Sequence, residues 1–153
     1  MSSERRQRGS VLLLVPAAVL VLMVLGAIAV DGAIVFLGQR ELGSAVAAAA
    51  NDAAGAAFAD APFYEAGRVE VDVDRAQRVA AASLAARAPR GIELRGPPEV
   101  TIVGRQLCVR ATARVPRVFA RSIPGASRSV VITAESTATL ADRGAAISRA
   151  AAC

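Results

Sequence analysis

Apolar and polar positions follow three different rhythms along this chain. Residues 11–30 (VLLLVPAAVLVLMVLGAIAV) form one apolar run with no charged residue. A helix of that length spans roughly 30 Å, the thickness of a bilayer's hydrocarbon core. Thirteen of its residues are Leu, Ile or Val, which together favour insertion by about 4–8 kcal/mol before Pro16 and Gly26 are counted against it. Arg5, Arg6 and Arg8 crowd the near flank, whereas the far flank opens with Asp31 and has no basic residue before Arg40. Positive charge beside a span stays cytoplasmic. The pattern predicts a basic cytoplasmic tail (residues 1–10), a transmembrane helix (11–30) and everything from Asp31 onward outside the cytoplasmic membrane.

The second rhythm is helical. Residues 31–60 are rich in alanine, the best helix former, and Val35, Leu42, Val46, Ala49 and Ala53 recur on one stripe. Gln39, Arg40, Glu41, Asn51 and Asp52 fall largely off it. One helix from about residue 10 to about residue 59 is expected, half in lipid and half out, ended by Pro62.

The third rhythm alternates. Residues 68–73 place Val69, Val71 and Val73 on one side of a strand. Asp74 with Gln77 forms a capping-box-like start for a helix over residues 76–88, around Val79 and Leu84. A short strand is expected at 92–94 and longer ones at 99–103, 107–115 and 129–140. Their inward residues are Val100 and Ile102, then Leu107, Val109, Ala111, Ala113 and Val115, then Val130, Ile132, Ala134, Ala138 and Leu140. Gly104-Arg105 makes a tight turn, and the link 116–128 carries an apolar tip of Val118, Phe119 and Ile123. The fold class is therefore α+β. A long N-terminal transmembrane helix extends outside the membrane (31–60). It leads to a small antiparallel β-sheet domain with one additional helix (61–140) and a small polar tail with a weakly helical end (141–153).

Composition narrows the chemistry. The chain has 153 residues, so about 120 lie beyond the span, enough for one small domain. The net charge is +5, but the arginines are scattered and aromatics make up only 3%, so no nucleic-acid stacking platform is expected. There is no histidine, which removes imidazole metal sites and His-based catalysis. Asp72 and Asp74 precede a helix and suit capping better than catalysis. No catalytic residue, cofactor site, metal site or small-molecule substrate is expected. Cys108 and Cys153 form a disulfide within the chain, pair between chains or remain free thiols; an extracytoplasmic location permits a bridge.

Small residues in and just beyond the span suggest partners. Gly26, Gly32, Gly38 and Gly43 let another helix approach closely, and Pro16 can shape the span for packing in a bundle. The lipid bilayer and other membrane helices are the expected partners. Asp31 is read as a marker of the outer boundary, with pairing to a partner's charge as the alternative.

The N-terminal block has a recognisable plan. Arg8-Gly9-Ser10 is followed by the apolar span, Ala29-Val30-Asp31, a Gln39-Arg40-Glu41-Leu42 block and an AAAANDAA end at 47–54. This plan resembles the TadE/TadG-like proteins of tight-adherence (Flp-type) pilus assembly over 45–50 residues. The resemblance implies a pilin-like arrangement and a minor-pilin or pseudopilin role, with other pilus or secretion-assembly membrane proteins as partners. It also implies prepilin-peptidase cleavage between Gly9 and Ser10; the alternative is that these residues are the ordinary polar edge of a span. Such substrates carry Glu five residues past the cut, where this chain has Leu14. That difference favours a membrane-retained assembly component over a major filament subunit.

The leading expectation is thus a non-enzymatic single-pass membrane protein of a Tad/Flp-type pilus or secretion apparatus. One alternative is a membrane-tethered adhesion or ligand-binding module that works through Phe119 and Ile123. Another is a secreted soluble protein cut after Ala29, at the small-x-small pattern Ala27-Ile28-Ala29.

Overall fold

The computed structural model describes residues 4–57, 72–140 and 148–149, with side chains described over 14–57 and 72–140. Helix α1 runs over Glu4–Ala56 without a break, 53 residues and so about 80 Å long. It begins earlier than the apolar pattern suggests, taking in most of the basic tail. It stops at Ala56, short of Pro62, which lies outside the described residues.

Two halves of α1 meet different surroundings. From Leu14 to Val30 every side chain is exposed except Ala27, which is partly covered. From Asp31 onward one face is buried: Leu42, Val46, Ala49 and Ala53 are fully covered, and Val35 packs against the same cluster. This is the stripe read from helical spacing. Ala45, Ala50 and Ala54 widen it, and Ala57, just past the helix end, is buried with them, so the protein's core begins inside α1.

Helix α2 spans Val73–Ala86, two residues short of Ala88. Its N-cap is Asp72, whose Oδ1 accepts the amide of Arg75 at 2.8 Å. Two expectations are corrected here. The cap is Asp72, not Asp74, and Val73 is the first helical residue, not the end of a strand; residues 68–71 of that expected strand lie outside the described residues. Once the Asp72 carboxylate satisfies an otherwise orphaned amide, the helix starts two residues earlier than the capping-box pattern places it. The Asp72 amide also donates to the Ala57 carbonyl at 2.7 Å, joining the start of α2 to the end of α1. Ala76, Ala80 and Leu84 are buried; the alanines on both helices remove the bulk that would hold them apart.

The sheet is antiparallel. Strands β1 (Glu93–Leu94), β2 (Glu99–Val103), β3 (Gln106–Pro116), β4 (Ser129–Thr139) and β5 (Ser148–Arg149) are built around β3. β3 pairs with β4 along its whole length, from Gln106↔Thr139 to Pro116↔Ser129. β1 and β2 share the other edge of β3, with residues 95–98, including Gly96, Pro97 and Pro98, bulging between them. Proline cannot donate to a ladder, so it interrupts an edge of this kind. Gly104 begins the two-residue β2–β3 turn at φ +59°, left-handed backbone that glycine adopts without strain.

Alternation in β3 follows the expected register: Leu107, Val109, Ala111, Ala113 and Val115 are buried under the helices. In β4, Thr137 is buried although it is not among the expected inward residues; its neighbour strand β5 pairs at Thr137↔Arg149 and Ala138↔Ser148. Within the expected tail, residues 148–149 form a strand of the sheet, and the rest of 141–153 lies outside the described residues. At the β2 edge, Gln77 of α2 donates to the Pro98 carbonyl at 2.6 Å, tying α2 to the sheet.

Candidate functional site

Among the described residues, exposed large apolar side chains are concentrated in the first half of α1. Leu22 is 67% exposed and Met23 71%, in the middle of a run of exposed Leu, Val and Ile. Among the described residues this is the one helix long and apolar enough to cross a membrane. Contiguous apolar surface of this extent marks contact with lipid or with other proteins.

That surface ends at Asp31, which is buried although it follows the apolar run directly. Its Oδ1 accepts the amides of Val118 (2.8 Å) and Phe119 (3.0 Å), and its Oδ2 accepts that of Ala120 (2.8 Å). Consecutive amides turned toward one point form an anion-binding nest, here at the start of a 3-10 turn over Ala120–Ser122. The Phe119 amide above all holds the Asp31 carboxyl below its usual range. Burial opposes this, while the amides of Ala120 and Val118 and the Arg117 charge add to it. The carboxylate therefore stays ionised at neutral pH and locks the β3–β4 loop to the helix.

A second polar node joins the helices. Asp52 Oδ2 accepts the Ser83 hydroxyl at 2.6 Å and Arg87 Nη1 at 2.8 Å, and Arg87 Nη1 also donates to Ser83 Oγ. The Ser83 hydroxyl is the main reason the Asp52 carboxyl lies below its ordinary value; burial opposes it, and the hydrogen bond and charge of Arg87 reinforce it. Next to it, Asn51 Oδ1 is buried without a hydrogen-bond partner.

The residues singled out from the sequence separate into groups. Gly38 lies against the chain's own sheet: a Cβ there would meet Val115 Cγ2 at 3.0 Å and Ile92 Cδ1 at 3.2 Å. This glycine serves the contact of α1 with the head, which leaves it no face for a partner helix. A Cβ at Gly26, Gly32 or Gly43 would meet nothing within 4 Å, so those positions stay open to another helix. Pro16 lies inside α1, as do Gly9 and Ser10. Cys108 is half-buried on the outer face of β3 and disulfide-bonded. The chain's other cysteine, Cys153, lies outside the described residues.

The outer face of the sheet carries a shallow hollow of about 430 Å³, lined by residues including Arg95, Glu99, Arg110, Thr133 and Glu135. Arg110 Nε and Glu135 Oε1 are paired across it at 2.6 Å. Among the described residues no group of three His, Cys, Asp or Glu is placed to hold a metal ion.

Sequence reasoning missed the binding partners of Asp31. The available signal was a single acid directly after an apolar run, together with a loop, residues 116–128, that contains arginines and no acid. No family model matches this chain, and no curated protein or solved structure shows significant similarity to it.

Proposed function

We propose that this chain is a non-enzymatic, single-pass membrane component of a Tad/Flp-type pilus or secretion apparatus, similar to a minor pilin or pseudopilin. Its N-terminus is cytoplasmic, residues 11–30 cross the cytoplasmic membrane, and the sheet domain is displayed outside. The observation that carries this reading is the continuity of α1. Its exposed apolar half and its buried half are one helix with no break at residues 30–31, so a force on the embedded half is delivered directly to the head.

Further features support the reading. The disulfide at Cys108 suits an oxidising compartment. The resemblance of residues 8–54 to the TadE/TadG-like plan supplies the pilus or secretion context. Gly26, Gly32 and Gly43 leave space for helices of partner proteins.

A tethered binding module is the second reading, favoured by the polar hollow around Arg110 and Glu135. Replacing residues 11–30 by an unrelated membrane helix separates the two. Pilus or secretion output falls, with the protein still membrane-bound, if helix packing is the working part. Output persists if the head alone matters.

A further inference from the structure

The loop between β3 and β4 is fastened at the very end of the apolar segment. Its base is closed by the Arg117 amide on the Arg128 carbonyl at 2.9 Å. Its start is pinned to Asp31, the first residue after 11–30, through amides 2.8–3.0 Å from the carboxylate. Val118, Phe119 and Ile123 are exposed, Ile123 by 60%. Arg117, Arg121 and Arg128 lie among them, and residues 117–128 contain no acid.

This combination has a definite chemistry. Apolar side chains interleaved with guanidinium groups match the boundary zone of a bilayer, where acyl chains meet phosphates: the apolar groups enter, and the arginines meet phosphate oxygens. An ordinary wet loop has no need of three exposed apolar residues at the edge of a span. A carboxylate at that edge would be costly if bare; bound to three amides, it is accommodated.

We propose that the loop of residues 117–128 is a membrane-surface anchor. It rests on the outer leaflet of the same bilayer that residues 11–30 cross, and Asp31 holds it there. The inference rests on reading residues 11–30 as a span. The head is then attached to the membrane at two points, which sets its tilt and rotation as a single helical tether cannot.

The chain contains no tryptophan, so one introduced indole is the sole such emitter. Full-length Leu22→Trp, Phe119→Trp, Ile123→Trp and Val103→Trp proteins are reconstituted separately in liposomes containing lipids brominated along the acyl chain. Val103 is exposed at the β2–β3 turn, the other end of β3. Strong quenching is expected at position 22 and shallow quenching at 119 and 123, with none at 103. Adding Asp31→Ala should reduce quenching at 119 and 123 and leave it unchanged at 22. If position 22 is quenched but 119 and 123 behave like 103, the anchor is refuted and the span stands. A blue-shifted but unquenched indole at 119 also refutes it and points to a protein partner. Quenching at 119 that persists in Asp31→Ala refutes the role of Asp31. No quenching at position 22 refutes the span itself.

Discussion

The carboxylate of Asp31 accepts the backbone amide of Phe119 at 3.0 Å across 88 residues of chain. Because the amides on either side bind the same carboxylate, Asp31→Ala leaves three donors without a partner in the protein. Amide exchange at 118–120 should accelerate in that variant, while β3 and β4 exchange as in the parent. Hydrogen-exchange mass spectrometry of the detergent-solubilised protein measures this directly.

Both depressed carboxyls make stability pH-dependent in the same direction. Asp31 is held down chiefly by the Phe119 amide and Asp52 chiefly by the Ser83 hydroxyl. A carboxyl with a lowered folded pKa contributes its stability above the unfolded value, about 3.9, and loses it as pH falls through the folded value. Thermal melts should therefore be flat between about pH 7 and 5 and decline below about pH 4. An Asp31→Asn, Asp52→Asn double variant should show a shallower acid decline.

Gly38 and Gly43 make a paired test. A Cβ at Gly38 would already crowd Val115 and Ile92, so Gly38→Leu should overpack the contact and cost about 1–3 kcal/mol. Gly43 faces open space, so Gly43→Ala should stabilise the isolated protein by about 0.5–1 kcal/mol through helix propensity. Chemical denaturation of both variants reads the difference. Loss of assembly in a Gly43→Leu protein of undiminished stability would mark that face as a helix contact.

The two aspartates before α2 should behave differently. Asp72→Ala removes the cap on the Arg75 amide and should cost about 0.5–2 kcal/mol. Asp74→Ala, in the first turn at an exposed position, should change stability by about 0.5 kcal/mol or less.

Leu107 tests the core. It is fully buried beneath the helices, so Leu107→Ala should cost about 2–5 kcal/mol. Cys108→Ser, one residue along and on the other face, tests the disulfide instead, and its cost should match that of reducing the parent.

Much of the fold was readable because its strands are buried on one face. From Leu107 to Val115 each alternate residue is apolar, and each is buried; the pattern and the pleat are the same fact. The stripe Leu42, Val46, Ala49 and Ala53 was readable for the same reason at helical spacing. The sequence leaves the cap ambiguous because Asp72 and Asp74 are both good capping residues, and the alternation of Val69, Val71 and Val73 extends the expected strand onto the N-cap and the first helical residue. β5 has two residues, too few for any period. Asp31 lay beyond reach for a different reason. Its partners are main-chain amides, which carry no residue signature, and they lie 87–89 residues away.

Protease digestion of right-side-out membrane vesicles carrying the full-length chain, tagged at its N-terminus, tests the central claim most directly. If residues 11–30 cross the bilayer with the head outside, the head is digested. An N-terminal fragment that includes the span stays protected and resists carbonate extraction. A head protected from protease, or full-length uncleaved protein recovered in the soluble fraction, would contradict the account.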